Sequence, residues 1–332
     1  MINFSVIGTG WISDSFVQAA HKTKAWKLTA VYSRTGENAE NFAEKYNVTN
    51  TYTELDSLGL DPEVQAVYIA SPNSLHYSQA KLMLVAGKNV ILEKPATSTV
   101  AEFEELFALA KQHRVFLLEA NRHIHEVNFK VLQRNLSALG PIFGATLNYA
   151  SYSSRFNNVL AGETPNVFSL KYSGGALVDL GVYPIAAAVA LFGAPKGQIY
   201  RPVKLPNGAD GGGVTLLDYG NFSVSITASK VFTSTGPSEV YGQNGTLIMN
   251  GVTDIDRVSF LNAKTKETVD WAQPKAPLNL LEEATEFARI IKGKDWDAAT
   301  KLEQISRTTL AITTDLRRQN GIVFDCEKNG KK

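Results

Sequence analysis

The chain has 332 residues, with 33 Lys and Arg against 32 Asp and Glu and a formal charge of +1. That length favours two domains, and the near-neutral balance excludes the basic field that nucleic acid or an anionic membrane requires, leaving small molecules as the expected partners. The single cysteine, Cys326, cannot close an internal disulfide and fits a reducing, cytoplasmic setting.

The first stretch, MINFSVIGTGWIS, reads as a strand and a turn. No cationic residue precedes its apolar run and glycines interrupt it, which argues against a signal peptide. A pattern then repeats: FSVIG leads to a helix over 12–22, KLTAVYS to 37–46, QAVYIAS to 74–86, and NVILEK to 98–112, before VFLLEA. Short runs apolar on both faces, alternating with amphipathic helices, predict a doubly wound parallel α/β sheet of Rossmann type over residues 1–121. Ligands of such sheets bind beyond the strands' carboxyl ends.

Past residue 121 the texture changes, and residues 122–332 are expected to form a substrate-binding and oligomerisation domain, an α+β unit with a large, mainly antiparallel open sheet. IFGATLNYASYSS, GGVTLLDY, NFSVSITAS, SEVYGQ, GTLIMN and DRVSFLN supply its strands, with short turns such as QNGT between them. In NFSVSITAS, Phe222, Val224, Ile226 and Ala228 alternate with Ser223, Ser225, Thr227 and Ser229, so one face is buried and the other meets water or another subunit. GALVDLGVYPIAAAVALFG is long enough to cross a bilayer, yet it carries Asp179 and Pro184 and reads as a buried helix over 176–193. Helices near 278–292 and 298–318 close the chain and are candidates to pack back on the first domain; NGKK is expected to fray.

The strand ends hold the candidate chemistry. GTGWIS places Gly8 and Gly10 in the first two positions of GxGxxG and Ser13 in the third. Two glycines let a phosphate approach a helix N-terminus, so Gly8, Gly10, Trp11 and Ile12 are cofactor-binding candidates; an ordinary strand-to-helix turn is the alternative. AVYSRTGE puts Ser33 and Arg34 where a carboxylate would grip the adenosine ribose of NAD. A hydroxyl and a planar guanidinium suit a 2′-phosphate instead, which favours NADP over NAD unless Arg34 is a solvated loop charge or stacks on adenine. In IASPNSLHY, Pro72 bends the chain at the crevice, and Ser71, Asn73 and His76 follow the strand. Asn73 could equally cap the next helix, and His76 could be a satisfied first-turn histidine.

The strand VILEKPAT ends on Glu93 and Lys94 before Pro95. Taken in order, GTGWIS, ASPNSLH, EKP and GGALVDLGVYP resemble the Gfo/Idh/MocA oxidoreductases, which include inositol dehydrogenase, glucose-fructose oxidoreductase and dimeric dihydrodiol dehydrogenase. The resemblance spans nearly the whole chain and implies that Lys94 reaches the nicotinamide ribose and the substrate hydroxyl. It further implies that Glu93 helps to place Lys94 and the cofactor, and that the Lys94–Pro95 bond is cis. The family's second motif supplies an aspartate and, four residues on, a catalytic histidine; here the pair is Asp179 and Tyr183, one helical turn apart. Tyrosine departs from the inositol dehydrogenase pattern and is similar to the glucose-fructose and dihydrodiol branches. A phenol titrates near 10, and an ammonium such as that of Lys94 would favour its phenolate.

Asn121 and Arg122 end the next strand and are placed toward the nicotinamide. His123 and His125 are expected to line one side of an extended stretch, and no metal site is expected, since further ligands are lacking. SYSSRFNNVLAGETPNVF lies where the family's substrate wall is found, with Arg155, Asn157, Asn158 and Asn166 suited to a polyol or sugar. The implied activity is hydride transfer between NADP or NAD and a secondary hydroxyl or carbonyl of a sugar, polyol or diol. Lys94, Tyr183 and Asp179 are the expected catalytic residues, and Lys94, Arg155, Asn166, Asp179 and Tyr183 the expected substrate contacts. The resemblance also implies a homo-dimer or tetramer through the C-terminal sheet. A dinucleotide-binding sensor that regulates transcription is the rival from another class, and an enzyme that retains its nicotinamide between two substrates is a further one.

Overall fold

In a computed structural model, residues 1–328 are described; NGKK lies outside them. The described chain divides into two compact units, residues 1–122 with 277–306, and residues 123–276 with the described residues from 307 on.

The first unit alternates strand and helix: β1 (Ile2–Ile7), α1 (Trp11–Lys22), β2 (Trp26–Tyr32), α2 (Gly36–Glu44), β3 (Asn50–Tyr52), α3 (Leu55–Leu60), β4 (Ala66–Ile69), α4 (Asn73–Val85), β5 (Asn89–Glu93), α5 (Val100–His113) and β6 (Leu117–Ala120). All pairings are parallel and the sheet order is β3-β2-β1-β4-β5-β6. The order reverses between β1 and β4, which creates the switch point where dinucleotides bind in this architecture. The expected strands and helices are present; β3 and α3 were not anticipated, because NTY is short and polar and LDSLGL is a single exposed-edged turn and a half. Strands such as AVYI in β4 are buried along their whole length, as a sheet covered on both faces requires.

One face of this sheet packs a core of Phe4, Phe16, Trp26, Tyr68, Ile91 and Leu118 against Ala284 and Phe287. The last two belong to a helix late in the sequence, residues Leu281–Gly293. The Trp26 indole donates to the Ala284 carbonyl at 2.8 Å, so the largest core side chain satisfies its one polar atom.

A 3-10 turn at Arg122–His125 leads into the second unit, whose first elements are α6 (Val127–Asn135), β7 (Ile142–Ala150) and α7 (Phe156–Leu160). A π-helical turn, Leu177–Gly181, runs into α8 (Val182–Phe192). Then follow β8 (Gly197–Lys204), β9 (Asp210–Asp218), β10 (Ser223–Ser229), β11 (Ser238–Gly242), β12 (Gly245–Met249), β13 (Val258–Asn262) and β14 (Thr268–Asp270). Helix α9 is the Leu281–Gly293 helix; α10 (Trp296–Gln319) and α11 (Asp325–Lys328) end the described chain.

Its eight-stranded sheet runs β14-β13-β12-β11-β7-β10-β9-β8, antiparallel except for β7 beside β10. β8 was missed because Pro202 interrupts it; as the edge strand it tolerates a residue without an N–H. β10 buries Val224, Ile226 and Ala228 as its alternation predicts. Residues 170–192 have the length and apolarity of a membrane span, but 72 % of the most apolar window is buried within the fold.

Two local expectations are corrected. His123 and His125 lie on a 3-10 turn, not on an extended stretch, and both are buried. Asp179 lies on a π-helical turn and not on the regular helix expected for 176–193.

Candidate active site

In the first unit, the loops after β1, β2 and β4 enclose a cavity of about 410 Å³ lined by Gly8, Thr9, Ser33, Arg34, Asn38 and Ser71, among others. Gly8 has φ +100°, and a Cβ there would stand 2.7 Å from the Ala70 carbonyl oxygen. Glycine is therefore required where the β1 loop crosses β4. Gly10 caps α1 in an extended conformation, and a Cβ on it would meet nothing within 4 Å. The open approach to the N-terminus of a twelve-residue helix is the shape a pyrophosphate needs, so the residues present fit a dinucleotide. Ser13, in the third motif position, is fully buried with its hydroxyl unpartnered among the described residues; a small side chain suffices for the helix to approach the strand.

Of the expected cofactor residues, Gly8, Ser33, Arg34 and Ser71 line this cavity. Trp11 stands at the start of α1 and is 79 % exposed, with Ile12 half-buried beside it. Asn73 opens α4 as its first residue, after Pro72. His76 is buried, one ring nitrogen 2.9 Å from the Pro95 carbonyl and the other 2.9 Å from the Ser71 carbonyl. Burial lowers its basicity, and the nearby Lys94 charge adds to this against the pull of the two carbonyls. His76 thus ties the loop after β4 to the loop after β5. Thr9, Thr35, Asn38, Leu75 and Gln79 were missed. Gln79 had a legible signal, since it lies four residues after Leu75 on one face of α4; its side chain accepts from Ser71 Oγ at 2.7 Å.

The strand VILE ends in a set of carboxylates. Glu93 accepts from the Tyr68 hydroxyl at 2.5 Å and from the Lys94 backbone N–H at 3.2 Å. Glu119 accepts from Ala96 N–H at 2.6 Å and from Asn121 Nδ2 at 2.7 Å. The Lys94–Pro95 peptide is cis, and the turn leads through Thr97 into α5, whose Thr99 and Glu102 form a capping box. Burial raises the pKa of Glu93, opposed first by the Lys94 charge and then by the Tyr68 bond; Arg122 also opposes it. Burial likewise raises Glu119, against its hydrogen bonds. Glu283 of α9, unexpected from sequence, is fully buried near Glu93, Glu119 and Arg122. Asn121 is buried and serves Glu119, while Arg122 is half-buried.

In the second unit, the glycine pair of GGALVDLGVYP has a physical reason. Gly175 has φ +142°, and a Cβ on it would strike the carboxylate of Asp210. Asp210 accepts from the Leu177 N–H at 2.7 Å and from the Tyr200 hydroxyl at 2.8 Å, pinning the first residue of the π-helical turn. Asp179, on that turn, forms an ion pair with Lys230. Tyr183 packs edge-on against His123 at 5.1 Å and against Tyr149 at 5.3 Å. Turns of the π type recur at functional sites. Arg155 and Asn166 are exposed, the former just before α7 and the latter on a 3-10 turn. Asn157 accepts from the Tyr152 hydroxyl and Asn158 donates to Glu163, so those two amides brace their own loop. Among the described residues no cluster of three or more His, Cys, Asp or Glu could hold a metal.

Residues 2–120 match the oxidoreductase family with an NAD-binding Rossmann fold, Gfo/Idh/MocA. The whole chain is 40 % identical over 327 residues to the uncharacterized oxidoreductase YgjR of Escherichia coli, covering 98 % of this chain and 99 % of that protein. The chain belongs to the Gfo/Idh/MocA oxidoreductase family. It is 37 % identical over 328 residues to the scyllo-inositol 2-dehydrogenase (NADP(+)) IolU of Bacillus subtilis, covering 99 % of this chain and all of the relative. Among solved structures, the 3-ketoreductase KijD10 of Actinomadura kijaniata, in complex with NADP and TDP-benzene, superimposes with a TM-score of 0.80 at 24 % identity, over 94 % of this chain and 95 % of that one. The fold is that of the family throughout, and the protein is an NAD(P)-dependent oxidoreductase acting on small molecules.

Proposed function

We propose that the protein interconverts a secondary hydroxyl and a carbonyl of a sugar, polyol or diol, with NADP preferred over NAD. When bound, the nicotinamide supplies or accepts the hydride. Gly8 and Gly10 receive the pyrophosphate, and Ser33 and Arg34 receive the adenosine 2′-phosphate, where a carboxylate would repel it. Lys94 orients the reacting oxygen with its ammonium. Tyr183 exchanges the proton of that oxygen, and Asp179 grips the substrate. Arg155 and Asn166 contribute polar contacts from their loops.

The observation that carries this reading is the position of Lys94 at the carboxyl end of β5, in the same parallel sheet whose β1, β2 and β4 ends line the cofactor cavity. Support comes from relatives that act on inositol with NADP or on trans-dihydrodiols. A panel of inositols, sugars and diols, followed by nicotinamide absorbance with NADP and NAD in parallel, tests it. Turnover with at least one polyol, faster with NADP, is expected. Tight NADP binding with no turnover of any substrate would replace the enzyme by the sensor.

The open face of the second sheet presents Ile199 and Val203 on β8 and Val214 and Leu216 on β9, each 44–47 % exposed. These apolar side chains support a homo-dimer or tetramer formed through this face, in a cytoplasmic setting. Light scattering of the purified protein gives the mass that decides it.

A further inference from the structure

Lys230 follows the last residue of β10, Ser229, and both are buried. The Lys230 side chain is only 6 % accessible. An ammonium in that position is costly unless a charge or polar groups compensate it. Two features do: the Asp179 carboxylate, with which it pairs, and the ring of Phe168, 5.2 Å from Nζ. The partners are unequal in exposure, since the Asp179 side chain is 28 % accessible. A buried cation therefore backs a carboxylate that still meets solvent. The backbone beneath is fixed as well, by Lys230 N–H on the Gly211 carbonyl at 2.8 Å and Leu177 N–H on Asp210. Among the described residues, Asp210 on β9 holds this turn through Leu177, and Tyr183 on α8 packs against Tyr149 on β7 and against His123.

An ionised carboxylate only accepts hydrogen bonds, and a neighbouring ammonium favours that form. Asp179 in this state grips a hydroxyl and cannot serve as a proton donor. We propose that Lys230 is a positioning residue for substrate recognition: it holds the Asp179 carboxylate ionised and aimed, so that Asp179 accepts from a second substrate hydroxyl beside the carbon that reacts. The inference rests on the reading of Asp179 as a substrate contact.

The test compares wild type, Lys230→Met and Lys230→Arg with a polyol that the wild type turns over and with the same compound lacking the neighbouring hydroxyl. A charge-assisted hydrogen bond is worth roughly tenfold to a hundredfold in affinity. Lys230→Met should raise KM for the polyol by about that factor with kcat little changed. KM for the deoxy compound should stay the same, and Lys230→Arg should recover most of the loss. In an Asp179→Asn background, Lys230→Met should change nothing further, and this double variant also removes both charges if the single one folds poorly. Equal effects on both substrates, or an undiminished effect without Asp179, would overturn the proposal. If the wild type turns over no polyol, the functional reading fails separately. Carbon-13 NMR of the Asp179 carboxyl then decides the role of Lys230: protonation at higher pH in Lys230→Met than in wild type is expected, and identical titrations would refute it.

Discussion

The Tyr68 hydroxyl donates to Glu93 Oε1 at 2.5 Å while its ring lies flat on Phe16, 3.9 Å between centroids at 4°. The stack fixes the ring from the core side, so the hydroxyl is delivered to the residue that precedes Lys94. Tyr68→Phe keeps the stack and removes the donor. Loss of a hydrogen bond to a buried carboxylate should cost about 1–3 kcal/mol in stability. Urea unfolding measures that loss, and kcat/KM should fall with it because Glu93 also holds the Lys94 backbone N–H. Unchanged stability would show that Glu93 does not depend on Tyr68.

Glu283 yields a pH-dependent prediction. Its side chain is fully buried, and neither carboxyl oxygen has a hydrogen-bond partner among the described residues. Burial raises its pKa well above the ordinary 4.5; Glu93 and Glu119 raise it further, and Arg122 opposes them. The folded state thus keeps a proton that the unfolded chain releases. Its contribution is complete below about pH 4.5 and is lost as pH rises toward the folded-state value. Glu283→Gln cannot ionise and escapes this loss. The stability of Glu283→Gln relative to wild type should therefore climb from pH 5 to pH 8, by up to about 1.4 kcal/mol per pH unit. Denaturant melts across that range measure it, and a flat difference would show that Glu283 is ionised in the fold.

How far these features were legible depends on their range in sequence. Apolar runs alternating with amphipathic helices located five of the six parallel strands, because burial on both faces leaves a local record. The lysine before Pro95 and the Asp179–Tyr183 spacing were legible as motifs. Lys230 and Glu283 were not: each is a charged residue in a segment that reads as ordinary polar texture. Their burial depends on what β10 and α9 pack against, which spacing along the chain does not record. The π-helical turn at Leu177–Gly181 was hidden for the same reason, since Asp210, which pins it, is 33 residues from Leu177.

The two motif glycines should separate under substitution. Gly8→Ala brings a Cβ to 2.7 Å from the Ala70 carbonyl at φ +100°, and both strain and crowding follow. Gly10→Ala meets no protein atom within 4 Å, so the fold should accept it. Its methyl group, however, occupies the approach to the α1 N-terminus proposed for the phosphate. Thermal melting without cofactor should fall for Gly8→Ala and stay within about 1 kcal/mol of wild type for Gly10→Ala. NADP affinity should fall at least tenfold in both. A Gly10→Ala protein that binds NADP normally would remove this loop from the cofactor site.

Tyr183 offers the sharpest test of chemistry against packing. Its ring contacts, edge-on to His123 and Tyr149, need only an aromatic face and edge, so Tyr183→Phe preserves them. What disappears is the hydroxyl proposed to exchange the substrate's proton. General acid–base assistance is worth roughly a hundredfold to ten-thousandfold in rate. kcat should drop by that factor, while NADP affinity, measured by fluorescence, and the melting temperature stay near wild type. A kcat within threefold of wild type would take the proton transfer away from Tyr183 and leave the residue as a packing partner of His123.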